Sequence, residues 1–310
     1  LAEQTLQKKC TVIGATSAIG LRLVPMLLHQ GFAVTATYRD EPLLADEWRG
    51  DSAVNCVECD LTAERFDERL ISPVMIWLAH LDQSRYNDRE AEVNVAAFER
   101  MIDACGDTLE QLIFVSSGGS IYGEPESLPI SESHERRPLS SYGKAKLAIE
   151  DLIGELNGVK TAILRPGNIY GFERPGMRGK GVIAAYLRAV DEGGRFTLIH
   201  NGVTVRDLIH VDDVSKAIIA ALNSGKDRIV WNVATGVGTS IRQILDKIDS
   251  VIGRRPQIER IENYDSDVLE NILAIDAITS QSDWRPGIAL SDGLSKVLDH
   301  WRTPRDDKDR

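Results

Sequence analysis

A chain of 310 residues can hold one large domain or two smaller ones with ample core. Its 43% hydrophobic and 27% charged residues are an ordinary globular balance, and its net charge of −11 argues against the basic face that a nucleic-acid partner would need. No apolar run approaches the ~20 residues of a membrane span and the N-terminus lacks a secretory apolar core, so a cytoplasmic protein with no membrane partner is expected.

The first residue is Leu1 rather than Met, which points to a trimmed start and leaves a removed leader open. From Cys10 to Gln30, CTVIGATSAIGLRLVPMLLHQ sets an apolar stretch, a glycine turn and a helical pattern in succession. Strand-like runs fall at Thr11–Ile13, Ala33–Thr37, Ala53–Val57, Val74–Leu78, Leu112–Val115 and Thr161–Leu164. Helix-like segments lie around Ala18–His29, Ala91–Ala104 and Tyr142–Leu156. Short strands alternating with amphipathic helices predict βαβ units and an α/β, doubly wound parallel sheet covered on both faces. After Gly171 the pattern changes: GFERPGMRGKG is a Gly- and Arg-rich loop, and strict alternation ends beyond it. RIVWNVATG reads as one more strand rejoining the first sheet.

Cys56 and Cys59 form a C-x-x-C, but no second pair and no close His pair completes four zinc ligands, so no metal site is expected. The alternation of AVNCVEC makes both cysteines apolar filler of a strand in a reducing compartment.

The opening turn has a specific chemistry. A strand ending at Ile13, then Gly14, then a helix from Ala18 puts free backbone N–H groups and a helix dipole where a pyrophosphate can sit. Gly14 permits the tight turn and Gly20 close packing, with Ser17 at the middle position where such loops often have Gly. The second strand ends VTATYRD, where a dinucleotide site selects its ribose. Asp40 comes one step late and Arg39 offers a planar fork suited to a 2′-phosphate, so NADP(H) is the expected cofactor, with NAD(H) the alternative. Asp60 and Leu61, after the third strand, would flank the adenine.

SSYGKAK carries the reactive pair. Tyr142 and Lys146 are four apart and share a helix face. A tyrosine is a poor base at neutrality; a neighbouring ammonium favours the phenolate, so Tyr142 can move a proton on a carbinol or carbonyl while a nicotinamide exchanges hydride. The preceding strand ends in FVSSGGSIYG, a hydroxyl-rich turn.

GATSAIG, CDL, WLAH, VNV, FVSSGGSIYG, SSYGKAKLAIE, LRPGNIYG, RDLIHVDDVSKAI, WNVATG and DWRP, in this order, resemble the extended short-chain dehydrogenases/reductases, specifically the NAD(P)-dependent nucleotide-sugar epimerases and dehydratases. The resemblance spans essentially the whole chain. It implies a Rossmann-type NAD(P)-binding domain over 1–169, to which 208–238 returns, and a smaller C-terminal α/β substrate-binding lobe over 170–310. It implies a cofactor along Gly14, Thr16, Ser17, Ala18, Ile19 and Gly20, passing Leu78 and Ala79, with Tyr142 and Lys146 at its nicotinamide ribose. It implies a nucleotide-sugar substrate touched by Asn168 and Arg206, and a homodimer.

Three departures shape the functional expectation. The family's catalytic hydroxyl falls at Gly118, so the role passes to Ser120 or Ser117, with Ser120 favoured. Gly119-Ser120 replaces the Asp-Glu of 4,6-dehydratases, which argues against dehydration. NYDSDV lacks the family's diphosphate-clamping Arg, for which Arg260 is the substitute. His80 stands where relatives often have Ala and receives no role. The expected activity is oxidoreduction at or near C4 of a nucleotide-linked sugar, foremost 4-epimerisation. The alternatives are an NADPH-dependent 4-ketoreductase and, against the joint presence of Tyr142 and Lys146, a non-catalytic NAD(P)-binding regulator.

Overall fold

In the first half of the computed structural model, β-branched strands alternate with helices of one apolar face; the structure describes residues 8–39, 48, 50–81, 87–171, 181–262 and 268–302. β1 (Lys9–Ile13) turns into α1 (Ala18–His29), followed by β2 (Ala33–Tyr38), β3 (Val54–Glu58) and β4 (Val74–Trp77). Then come α2 (Asp88–Cys105), β5 (Gln111–Val115), α3 (Ser141–Glu155), β6 (Lys160–Pro166) and the short β7 (Asn168–Tyr170). The remainder comprises α4 (Val182–Asp191), β8 (Arg195–Ile199), β9 (Val205–His210), α5 (Val211–Leu222), β10 (Arg228–Val233), β11 (Gly238–Ser240) and α6 (Ile241–Ile252). It closes with β12 (Gln257–Ile261), β13 (Glu270–Asn271), α7 (Asp276–Gln281) and α8 (Leu290–Arg302).

Seven strands form one sheet in the order β10-β6-β5-β4-β1-β2-β3, every neighbour parallel. Strand order reverses between β1 and β4, and the crevice beyond their carboxyl ends is where such sheets take ligands. One face packs Leu23, Val24 and Leu27 of α1 with Val214 and Ile218 of α5. The other packs Phe98 and Met101 of α2 with Ile149 and Ile153 of α3, and Trp77 meets Phe98 edge to face at 5.2 Å. With both faces covered, the strands read as near-continuous apolar runs such as QLIFV of β5.

A separate apolar cluster of Tyr186, Leu187, Ile244, Ile248, Val297 and Leu298 holds α4, α6 and α8 together. β9 is the hinge of this region, pairing parallel with β7 and β13 and antiparallel with β11. α2 starts at Asp88 rather than near Ala91, because the Asn87 side chain accepts from the Glu90 N–H and caps the helix one turn earlier. All four cysteines are free thiols; Cys59 is buried and Cys56 half-buried beside the β2–β3 pairing. Among the described residues no helix is long and apolar enough to cross a membrane, and no His, Cys, Asp or Glu cluster could hold a metal ion.

Candidate active site

The crevice begins at Gly14. Its φ of +89° suits glycine, and a Cβ there would stand 2.9 Å from the Ala79 amide, so β4 can approach β1 only with a bare backbone. Ala79 and Leu78 donate to the Ile13 carbonyl at 3.0 and 2.9 Å, and Gly14 donates to the Thr37 hydroxyl at 2.7 Å, which locks β1, β2 and β4 around the turn. Ser17 caps α1 by accepting from the Gly20 N–H at 3.2 Å. A Cβ on Gly20 would lie 2.3 Å from the Ala15 carbonyl oxygen, so the turn folds directly onto the helix. Thr16 and Ala18 stand half-buried beside this turn, with Ile19 tucked into the core. The first-turn amides of Ala18 and Ile19 precede the helix's own ladder and form the positive end of the helix dipole. A glycine cradle, uncommitted helix amides and a narrow strand crevice fit a dinucleotide's pyrophosphate.

At the far end of the crevice, Ser140 caps α3 and sets Tyr142 in its first turn, with Lys146 one turn later. Lys146 is 2% exposed; its Nζ donates to the Val115 carbonyl at 2.9 Å and lies 4.7 Å from the Phe114 ring centroid and 5.7 Å from that of Tyr142. Burial pushes the Lys146 ammonium down to about 7, opposed by the Glu150 carboxylate a further turn along. Glu150 is fixed by Arg165, whose guanidinium donates to it at 3.0 and 2.6 Å, with Arg136 at 3.3 Å. Arg165 also donates to the Tyr122 hydroxyl at 2.9 Å, which donates to Asn232 at 2.6 Å. A buried, hydrogen-bonded network therefore braces the helix that carries the pair.

The hydroxyl-rich turn packs between α3 and β6. A Cβ on Gly118 would fall 2.5 Å from Leu273 and 2.9 Å from the Arg165 carbonyl, so a serine does not fit at that position. Gly119 faces Asn168 Oδ1 and Ser117 Oγ, which would lie 3.3 and 4.0 Å from a Cβ at that position, so the turn approaches Asn168 closely there. The Ser120 carbonyl lies 2.5 Å from the corresponding point on Gly143, next to Tyr142 in sequence. Both serines are half-buried. Arg206 is buried on β9, donating to the Val205 and Leu269 carbonyls at 2.8 and 3.4 Å, and its register partner on β13 is Asn271.

Sequence reasoning missed Asn271, which donates to the Gly118 carbonyl at 3.1 Å from far along the chain. It also missed the contact of His80 with Tyr142, whose rings meet edge to face with centroids 4.6 Å apart. Arg260 is exposed on β12 of the β8–β12 pair. Asp40, residues 172–180 of the Gly/Arg-rich loop and residues 263–267 of NYDSDV lie outside the described residues.

The sequence matches the NAD dependent epimerase/dehydratase family over residues 10–234, from β1 through β10 and the whole Tyr142–Lys146 region. The chain belongs to that family. Among curated epimerase/dehydratase relatives, a UDP-glucose 4-epimerase of Mycolicibacterium smegmatis is 28% identical over 94% of this chain and 97% of that protein. The dTDP-4-dehydro-6-deoxyglucose reductase of Escherichia coli is 28% identical over 66% of this chain and 65% of that protein. Among solved structures, MoeE5 in complex with UDP-glucuronic acid and NAD superposes with a TM-score of 0.82 at 25% identity, covering 94% of this chain and 98% of that one.

These family members correct one expectation. Arg39 points to NADP(H), yet MoeE5 was solved with NAD, as was the Thermus thermophilus UDP-glucose 4-epimerase, 25% identical with a TM-score of 0.81 over 95% of this chain and 99% of that one. The physical reason lies at the ends of β2 and β3. Asp60 accepts from the Thr62 N–H and hydroxyl, each at 2.8 Å; these bonds, and then the charge of Arg39, hold its carboxyl below the usual range. The charge of Arg39 is thus felt by an ionised carboxylate near the ends of these strands, a setting that disfavours a 2′-phosphate and offers an acceptor to a ribose hydroxyl.

Proposed function

We propose that this protein interconverts UDP-linked sugars differing in configuration at C4, with NAD as a resident cofactor. The observation that carries the reading is the half-buried Tyr142 held one helical turn from a fully buried Lys146, at the carboxyl end of a parallel sheet whose first turn suits a pyrophosphate. NAD, when bound, supplies a reversible hydride acceptor. Gly14, Thr16, Ser17, Ala18, Ile19 and Gly20 hold its diphosphate, Asp60 and Leu61 its adenosine end, and Leu78 and Ala79 line its path. Tyr142 removes the C4 hydroxyl proton and later returns it. Lys146 stabilises the phenolate and donates to ribose hydroxyls. Ser120, with Ser117 as the alternative, orients the C4 oxygen, and Asn168 and Arg206 hold the sugar and its phosphates.

Support for the reaction class comes from the mycobacterial 4-epimerase, aligned along nearly its full length. Residues 1–169 with 208–238 would carry the cofactor and 170–310 the sugar, in a homodimer; four free thiols suit a reducing, cytoplasmic setting. The similarity to the Escherichia coli reductase makes one-way 4-ketoreduction the second reading. The test is thermal stabilisation of the NAD-loaded protein by a panel of UDP-, dTDP-, GDP- and CDP-sugars. Stabilisation by UDP-hexoses above the others supports the proposal; a preference for dTDP-4-keto sugars moves it to the reductase.

A further inference from the structure

His80 has no part in the proposed reaction, yet the fold builds a clamp around it. On its N-terminal side, the Ala79 N–H donates to the Ile13 carbonyl at 3.0 Å and the Ala79 carbonyl accepts from the Trp77 indole at 3.0 Å. On its C-terminal side, the Leu81 N–H donates to Asn94 Oδ1 at 2.7 Å and the Leu81 carbonyl accepts from Asn94 Nδ2 at 2.9 Å. Asn94 is itself buried on α2, and its Nδ2 also donates to the Glu90 carbonyl at 2.7 Å. Both backbone groups on each side of His80 are thus tied to three separate elements, in a segment that is neither helix nor strand. Such a segment is rigid because the polar groups flanking the ring are satisfied. From this clamp the imidazole reaches α3 and meets the Tyr142 ring edge to face, interplanar angle 84°. Lys146 approaches the same ring from its own helix, so the tyrosine is bracketed by two fixed groups.

We propose that His80 is a positioning residue for Tyr142: its ring, fixed at the end of β4, sets the rotation of the Tyr142 ring and thereby the placement of the phenol oxygen. This rests on Tyr142 being the proton carrier of the proposed function. Edge-to-face ring pairs have a preferred geometry, and small misplacements of a reacting group are costly in rate.

The test uses the NAD-loaded protein with His80→Ala and His80→Phe. Ring-labelled tyrosine NMR, with the Tyr142 signal assigned by its loss in Tyr142→Phe, reads the contact without activity. His80→Ala is expected to move that signal toward the free-tyrosine position and to lower kcat about ten- to a hundredfold with KM little changed. His80→Phe should keep the signal displaced and bring kcat back to within about threefold of the parent. A His80→Ala protein with an unmoved signal, or with kcat within about twofold of the parent, overturns the proposal, as does a His80→Phe protein as slow as the alanine variant. If the parent turns over no nucleotide sugar, the proposed function fails, and the tyrosine signal alone then decides the positioning role.

Discussion

Lys146→Met replaces a buried ammonium with an apolar chain of similar length, and its effect on stability has a definite sign. Folded, Lys146 is pushed down to about 7 by burial; unfolded, it returns to its ordinary 10.5. Between those values the unfolded chain binds the proton more strongly, so the parent's unfolding free energy rises with pH. The penalty is complete below pH 7 and is relieved as pH approaches 10.5. At about 1.4 kcal/mol per tenfold it amounts to about 5 kcal/mol, and water reaching the ammonium on local relaxation reduces this to a few. Against it stands the bond from Nζ to Val115, about 1 kcal/mol, which the methionine forfeits. Denaturant unfolding of the cofactor-free protein from pH ~6 to pH ~9 should therefore find Lys146→Met more stable than the parent at the acid end, with the gap closing as pH rises. A methionine variant less stable than the parent by an amount independent of pH would refute the reasoning, since the lysine would then titrate as an exposed side chain does. Turnover of the same variant should fall, because the phenolate of Tyr142 loses its neighbouring charge.

Tyr142→Phe keeps the ring against His80 but deletes the titrating oxygen; turnover should drop on the order of 10²–10⁴ while NAD still stabilises the protein against heat, and near-normal rates would reduce the pair to a helix-surface contact. Ser120→Ala should slow turnover more than Ser117→Ala, because the Ser120 backbone lies against Gly143 beside Tyr142; paired rate measurements in the opposite order would pass the role to Ser117. Arg206→Ala should raise KM with a smaller effect on kcat, as for lost uniform binding, and unchanged KM would leave Arg206 as a brace for the Val205 and Leu269 carbonyls.

How much of the site is legible in the sequence depends on the range of its interactions. Gly14, Ser17 and Gly20 act within one turn, and Tyr142 and Lys146 within one helix, so their spacing alone carries the geometry. Arg39 misleads for the opposite reason. Asp60 lies two residues beyond the end of β3, and only the β2–β3 pairing brings its charge within reach of Arg39. Gly118 reads as a missing hydroxyl, and its cause, Leu273 packed onto it from the C-terminal region, is invisible along the chain. His80 reads as a lone histidine because the clamp that aims it is assembled from β1, Trp77 and Asn94. The complete burial of Lys146 likewise depends on Phe114 and Val115 of a separate strand.

The central claim is reversible chemistry at C4 with NAD returned unchanged at each turnover. It is tested most directly by incubating the full chain with UDP-glucose and a catalytic amount of NAD, and following the sugar by chromatography and the cofactor by absorbance. The account predicts approach to a mixture of UDP-glucose and UDP-galactose from either side, with no net reduced cofactor, and no conversion by Tyr142→Phe. Absence of C4 interconversion with every UDP-hexose offered, or conversion that consumes reduced cofactor one for one with product, would contradict it.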